Sequence, residues 1–302
     1  MEEVKRNSLR AWILAARPKT LTGAITPVMI GSALAYMDGH FQWLPALICC
    51  LFAGLMQIAA NFINDLFDFQ KGTDRREDRL GPQRACAEGW ITPAAMKTGI
   101  GIALTLSCLA GLAVLFTVWG HCPTEAGNWW CWAWCAYCLL SSIPRCSPIG
   151  AGATYWCWCS SASCRMRHLL RAGYTLNMDV VVLSLVSGLA IDTLLMVNNY
   201  RDREQDAVSG KCTLVVRYGK KFGENMYLAL GIAAVLLCFW FVYTGKLTPL
   251  EFIWAPFVYL YMHALTWRKM IQIGSGKKLN SILGETSRNM LFLGLLLAVA
   301  LN

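Results

Sequence analysis

From Leu44 to Ala60 only Gln57 is polar, and the run then closes on Asn61-Phe62-Ile63-Asn64-Asp65-Leu66-Phe67-Asp68-Phe69-Gln70-Lys71-Gly72-Thr73-Asp74. No feature of the chain narrows its fold more. A segment this apolar belongs in a bilayer, where it must satisfy its own backbone groups, as a helix does. Amides and carboxylates then sit at the mouth of a membrane span. Asn64 and Asp68 are four apart and share one helical face. Asp74 lies six beyond Asp68, on the wrong face of an unbroken helix, and Gly72 between them can end the helix and turn the chain back. The idea repeats downstream at Asn198-Asn199-Tyr200-Arg201-Asp202-Arg203-Glu204-Gln205-Asp206. There Asn198, Asp202 and Asp206 form an i, i+4, i+8 stripe that again closes an apolar run.

Apolar runs recur at about 20–37, 43–64, 98–119, 129–144, 155–172, 178–198, 226–244, 250–266 and 289–302. They predict an all-α, polytopic membrane bundle of about nine transmembrane helices, organised as a single domain over 1–302. Hydrophobic residues make up 56% of the chain and charged ones 15%, which points away from a soluble enzyme. Residues 1–10 are charged and Ala11 to Ala16 is too short for a signal-peptide core, so no cleavable leader is expected. The net charge of +9 reports orientation, and no aromatic-basic nucleic-acid motif accompanies it. With the N-terminus cytoplasmic, segments 1–19, 65–97, 199–221 and 267–288 hold 5, 6, 6 and 5 of the 27 lysines and arginines. That bias places both acidic clusters on one side, facing the cytoplasm.

Oxygen ligands of this kind suit Mg²⁺, which usually takes one or two carboxylates plus waters and substrate phosphates. Asp68, Asp74, Asp202 and Asp206 are the candidate ligands for two such ions, and Asp68 and Asp202 the acids on which turnover should depend. A metal-bridged diphosphate becomes a good leaving group. Lys71, Arg75, Arg79, Arg201 and Arg203 are placed to neutralise its remaining charge. Asn64 and Asn198 would donate to phosphate oxygens or orient the ligands. The plain alternative is that these acids only pair with neighbouring cations on a wet helix end. Ionisable residues near membrane depth are nonetheless functional candidates by default. His40, His121, His168 and His263 lack ligand spacing and read as structural. Trp43, Trp119 and Tyr243 read as interfacial anchors, and Gly31, Ser32, Gly54 and Gly188 as helix-packing positions. Arg17-Pro18-Lys19-Thr20 is read as a basic flank or as lying near a substrate acid.

These blocks resemble the intramembrane aromatic prenyltransferases, and within them the 1,4-dihydroxy-2-naphthoate polyprenyltransferases of menaquinone synthesis. Asn61 to Asp74, Asp78-Arg79-Leu80-Gly81-Pro82-Gln83-Arg84 and Gly89-Trp90-Ile91-Thr92 carry the likeness. So do Asn198 to Asp206, Gly210-Lys211-Cys212-Thr213-Leu214, Arg217-Tyr218-Gly219 and Thr286-Ser287-Arg288-Asn289. The resemblance implies nine helices around a lipid-facing cavity and two Mg²⁺ held by the two Asp motifs. It implies an integral protein of the bacterial inner membrane that binds a polyprenyl diphosphate and ionises it to an allylic cation. The dihydroxynaphthoate ring then attacks through its carboxylated carbon, and loss of CO₂ and oxidation give demethylmenaquinone. Cys212 stands where the family commonly has a polar or basic residue. Two other functions stay open: a prenyltransferase for another aromatic acceptor such as 4-hydroxybenzoate or homogentisate, and a membrane transporter. Transport acids usually lie near the midplane, whereas these close helix ends.

The stretch from about 131 to 172 breaks the pattern. Seven of the 14 cysteines crowd between Cys131 and Cys164 among four tryptophans, and no Asp or Glu occurs between Glu125 and Asp179. Cys135-x-x-Cys138 lacks the second pair a metal site needs. The family's cytoplasmic loop resembling Pro-x-x-Tyr-x-Gly-x-Gly-Asp is missing here. Reading one base out of frame, Tyr155-Trp156-Cys157-Trp158-Cys159 forces Leu-Val-Leu-Val, an ordinary start to a membrane helix. We read 131–172 as an out-of-frame translation, against the alternative of a divergent Trp/Cys-rich helix pair.

Overall fold

A computed structural model describes residues 4–37, 39, 41–70, 80–119, 178–208, 210, 212–252 and 254–301. The spans expected at 129–144 and 155–172, the frame reading of 131–172, and Lys71, Asp74, Arg75 and Arg79 lie outside them. Among the described residues every regular element is helical: α1 (Leu9–Ala16), a 3₁₀ turn (Pro18–Thr20), α2 (Leu21–Met37), α3 (Trp43–Gln70), α4 (Pro93–Trp119), α5 (Met178–Val208), α6 (Leu214–Tyr218), α7 (Lys220–Cys238), α8 (Trp240–Tyr243), α9 (Pro249–Phe252), α10 (Trp254–Ile273) and α11 (Leu279–Ala300). Among the described residues six stretches are long and apolar enough to cross a membrane: Leu9–Met37, Trp43–Gln70, Pro93–Val114, Met178–Val208, Lys220–Tyr243 and Leu279–Ala300. The α10 helix, expected as a span over 250–266, is not among them; it carries His263, Arg268 and Lys269.

Local chemistry sets the starts of these helices. Ser8 caps α1 by accepting from the Ala11 N–H at 3.3 Å. Thr92 accepts from the Ala95 N–H at 3.1 Å, and Pro93 takes the first helical position of α4, where its missing N–H costs nothing. Thr213 caps α6 in the same way. Gly219, at φ 88°, makes the break between α6 and α7.

Two helices overshoot their expected ends. The α3 helix has 28 residues and α5 has 31. A hydrocarbon core of about 30 Å takes about 20 residues. If α3 enters at the exposed Trp43, that length is used up near Phe62, and Asn64 to Gln70 project beyond it. If α5 enters at Met178, it is used up near Asn198, so Asp202 and Asp206 project beyond. The α5 extension is favoured by its Arg, Glu and Gln, which are good helix formers. At the far end of α5, buried Asp179 accepts from Trp240 Nε1 at 2.9 Å and pairs with Lys246. Asp179 and Asp202 are thus roughly 35 Å apart along one helix, at 1.5 Å per residue. Lys246 thus sits at the end of α5 opposite the acidic stripe.

The α3 helix packs along α4, α5 along α7, and α11 against α2, α5 and α10. Ile30, Leu34, Leu183, Val186, Phe241, Tyr259, Leu293 and Leu297 fill the largest core. Exposed Leu47, Leu51, Leu106, Leu109 and Leu236 face outward, as lipid contact requires. His263 is structural, as expected: it lies between Tyr227 and Tyr259, stacked at 4.4 and 5.6 Å, and bonds the Tyr227 carbonyl. Its ring occupies the space where a Cβ on Gly231 would stand, 2.2 Å away. Among the described residues nothing lies within 4 Å of the position a Cβ on Gly54 would take, so no described helix makes a close approach there. Close approach falls instead to Gly231, to Gly99 against Trp12, and to Gly223 against Tyr200.

Candidate active site

Asp65, not Asp68, is the buried acid of the first block. It is fully enclosed, and its two carboxylate oxygens accept from the backbone N–H groups of Ala85 and Cys86 at 2.9 and 3.0 Å. These bonds fold the loop after α3 back onto the helix. The loop then delivers Arg84, whose Nη2 donates to Asp68 Oδ2 at 2.7 Å. Asp68 keeps 37% of its side chain exposed and Arg84 only 10%. Burial, reinforced by the Asp65 charge, pushes the Cys86 thiol up to about 12. Cys86 is therefore an inert, neutral member of the loop's core, which it shares with Ala85, Ile91 and Met96.

One turn earlier, Asn61 is buried and donates to the Ala16 carbonyl at 2.8 Å and to Thr20 Oγ1 at 2.9 Å. Ser287 of α11 donates to the Lys19 carbonyl at 2.8 Å and shares a 2.6 Å hydrogen bond with Thr22. These contacts fix the Arg17–Thr20 turn, in which Arg17 takes a left-handed conformation (φ 53°) directly before Pro18. Such a conformation costs an L-residue about 1–2 kcal/mol, so the bonds from α3 and α11 hold a turn that would otherwise relax.

The second block is built differently. Arg201 is nearly enclosed and grips its neighbour Asp202 with both prongs, Nε to Oδ1 at 2.7 Å and Nη2 to Oδ2 at 2.6 Å. Its remaining Nη1 donates to Asn280 Oδ1 at 2.8 Å, and Asn280 Nδ2 donates to the Leu80 carbonyl at 2.8 Å. The end of α5, the first turn of α11 and the loop after α3 therefore meet at one end of the bundle. Arg203 lies over the Tyr200 ring, donates to the Tyr200 carbonyl and pairs with Glu204. Tyr200 in turn donates to Glu224 Oε1 of α7 at 2.7 Å. Asp206 is buried one turn beyond Asp202, and Asn64 and Asn198 are half-buried one turn before their acids. Cys212 is exposed.

Of the residues singled out from sequence, Asp68, Asp202, Asp206, Asn64, Asn198, Arg201 and Arg203 thus fall on two helix ends that share one face of the bundle. Lys71, Asp74 and Arg79 lie outside the described residues. Periodicity missed Asp65, Arg84 and Asn280, which tie the two ends together. Among the described residues no three His, Cys, Asp or Glu side chains gather into a self-sufficient metal cluster. The donor set still fits Mg²⁺, an ion that needs only one or two carboxylates where phosphate and water complete its shell.

Residues 24–282 match the model of the UbiA prenyltransferase family. A 1,4-dihydroxy-2-naphthoate octaprenyltransferase of Escherichia coli (strain K12) is 32% identical over 250 residues, covering 79% of this chain and 78% of that protein. One from Mycobacterium tuberculosis (strain ATCC 25618 / H37Rv) is 29% identical and aligns over 97% of both chains. Among solved structures, a UbiA homolog from Archaeoglobus fulgidus bound to DMAPP and Mg²⁺ has the same fold, with a TM-score of 0.62 at 14% identity over 95% of this chain and 98% of that one.

Proposed function

The chain belongs to the UbiA prenyltransferase family, and from that premise we propose that it transfers a polyprenyl group from a polyprenyl diphosphate to 1,4-dihydroxy-2-naphthoate in menaquinone synthesis. The observation that carries this reading is the joining of two acidic helix ends through Arg201, Asn280 and the Leu80 carbonyl. Two carboxylate stripes brought to one end of a membrane bundle suit a substrate with a charged head and a hydrocarbon tail. The E. coli and M. tuberculosis relatives named for this acceptor support the choice of ring.

Asp68, Asp202 and Asp206, with Asp74, would hold Mg²⁺, and the ion when bound would stabilise charge on the departing diphosphate. Asn64 and Asn198 donate to phosphate oxygens. Lys71, Arg79, Arg201 and Arg203 supply positive charge to them. The C–O bond of the prenyl diphosphate breaks with its electron pair leaving on oxygen. The carboxylated ring carbon then forms the new C–C bond, and the carboxylate leaves as CO₂ with its bond pair returning to the ring. Water is kept from the allylic carbon by the apolar helices below the site.

The test is an assay in membranes or detergent with a prenyl diphosphate and Mg²⁺, offering the naphthoate, 4-hydroxybenzoate and homogentisate in turn. Prenylated product with the naphthoate alone, abolished by EDTA, is the expected result. Product with another acceptor moves the protein to that branch, and activity undiminished by EDTA overturns the role of the acids. We also place the site on the cytoplasmic side of a bacterial inner membrane. Single cysteines at Lys71 to Arg84 and at Arg201 to Lys221 should then resist labelling from the periplasm, and labelling of either stretch contradicts it. The single-domain reading of 1–302 carries the frame reading of 131–172 with it, and peptides from Cys131 to Arg171 seen by mass spectrometry would refute that reading.

A further inference from the structure

We propose that Asn280 is a positioning residue that couples the two acidic helix ends, so that residues 80–86 with the end of α3, and the end of α5, bind a diphosphate as one unit. The inference rests on the prenyl-transfer reading for its catalytic consequence, but its structural content stands apart from it. Asn280 lies in the first turn of α11, far in sequence from both partners. Its carboxamide is used at both ends, accepting from Arg201 Nη1 and donating to the Leu80 carbonyl, each at 2.8 Å. The amide meets both demands, one with its oxygen and one with its nitrogen. A guanidinium needs an acceptor and a carbonyl needs a donor, so neither a carboxylate nor a hydrocarbon serves in its place.

The consequences run in two directions. On one side, Arg201 is nearly enclosed and gives Nε and Nη2 to Asp202. The bond from Asn280 therefore fixes the plane of the guanidinium, and with it the direction of the Asp202 carboxylate. On the other side, Leu80 opens a short strap whose far end is fastened by Asp65 to the Ala85 and Cys86 N–H groups. Arg84, which reaches Asp68, hangs between these two fastenings. Releasing Leu80 frees one end of the strap and lets Arg84 leave Asp68. A single side chain thus sets the position of one acid at each helix end.

The experiment compares wild type with Asn280→Ala, Asn280→Asp and Asn280→Gln in detergent, by amide hydrogen exchange and by steady-state kinetics. Asn280→Asp keeps the acceptor for Arg201 and loses the donor to Leu80, whereas Asn280→Ala loses both. In Asn280→Ala, exchange should rise together in residues 80–86 and in the last turns of α5. In Asn280→Asp it should rise in 80–86 alone. The KM for prenyl diphosphate should rise about tenfold in both variants, with kcat within about threefold, the signature of lost ground-state positioning. Asn280→Gln, which keeps both functions on a longer arm, should recover part of the loss. Faster exchange confined to residues 279–283, or equal falls in kcat for all three variants at unchanged KM, overturns the proposal. If the wild type transfers no prenyl group, the prenyl-transfer reading fails, and the exchange pattern alone decides whether Asn280 couples the two ends.

Discussion

The ends of α3 and α5 carry the same kind of acidic stripe, yet they are held in opposite ways. At α3 the ordering groups come from outside the helix: a loop returns and docks its backbone on Asp65, and Arg84 reaches Asp68 from 16 residues away. At α5 the described ion pairs are between chain neighbours, Arg201 with Asp202 and Arg203 with Glu204, while Asn280 and Tyr200 make described contacts to the rest of the molecule. The first end is therefore a loop-dependent assembly, and the second is nearly complete within its own helix. An acid motif read from spacing alone hides this difference. It predicts that equal substitutions at the two ends will have equal effects on turnover and unequal effects on stability.

The largest expected effect tests that directly. Asp68→Ala and Asp202→Ala should each reduce prenyl transfer at least ~100-fold, in line with losing a group that stabilises transition-state charge. Their unfolding should differ. Asp202→Ala leaves the Arg201 side chain, 3% exposed, without its bidentate partner, itself 27% exposed, and should cost about 2–3 kcal/mol, below the loss from a fully buried pair. Asp68→Ala removes a partner that is 37% exposed from an Arg84 side chain that is 10% exposed, and should cost about 1 kcal/mol, because a monodentate pair open to water on the acid's side is screened. Thermal unfolding in one detergent reads both. Equal losses of stability would abolish the distinction drawn between the ends, and full activity in either variant would remove its acid from the mechanism.

Much of this was legible in the sequence, and the reasons separate cleanly. The spans of α3 and α5 were readable because a bilayer admits few alternatives to a helix of about 20 apolar residues. The stripes Asn64/Asp68 and Asn198/Asp202/Asp206 were readable because i, i+4 spacing puts side chains on one face. The length of α5 was not, since apolarity marks where a helix leaves lipid and not where it stops. Asp65 sat inside the quoted block, three before Asp68, but its partners are main-chain groups 20 and 21 residues on, which spacing does not reveal. Asn280 bonds a carbonyl 200 residues away, and no local pattern encodes that. Arg84 was quoted as part of a family likeness without a role, because an ion pair across a turn depends on how the loop folds. Gly54 looked like a packing glycine and meets no close neighbour among the described residues, whereas Gly231, unremarked in sequence, admits the His263 ring.

A smaller effect sharpens the loop-dependent half of the comparison. Asp65→Asn conserves shape but replaces one accepting oxygen with an NH₂ that must face a backbone N–H. One buried bond is lost and two donors confront each other, at a cost of about 2 kcal/mol. The matching cut at α5, Tyr200→Phe, removes only the hydrogen bond to Glu224 and should cost about 1 kcal/mol. Transfer should also fall about tenfold in Asp65→Asn, through a freed Arg84, and stay within about twofold in Tyr200→Phe. If Tyr200→Phe proves the more damaging on both counts, the α5 end leans on its neighbours more than the α3 end does.

The smallest effect concerns Cys86, which reports on the same loop through pH. Its thiol ionises near 9 in the unfolded chain and is pushed up to about 12 in the fold. Between those values the unfolded chain has released a proton that the folded chain keeps. The folded state binds more protons, so stability falls as pH rises, by about 1.4 kcal/mol per pH unit from this one group. Below pH 9 both states hold the proton and the group adds no pH dependence. Wild type should therefore lose more stability than Cys86→Ala between pH 8 and pH 10.5, and the two should run parallel between pH 6 and pH 8. Exposed Cys212, beside the α5 end, supplies the contrast: a soluble maleimide should modify it within minutes at pH 7.5 while sparing Cys86, as peptide mapping would show. Asp65→Asn withdraws the charge and the loop anchor that protect Cys86, so labelling there should become measurable. Cys86 labelling as fast as Cys212 in the wild type would mean that the loop is not docked on Asp65, and the contrast between the two helix ends would then rest on their acids alone.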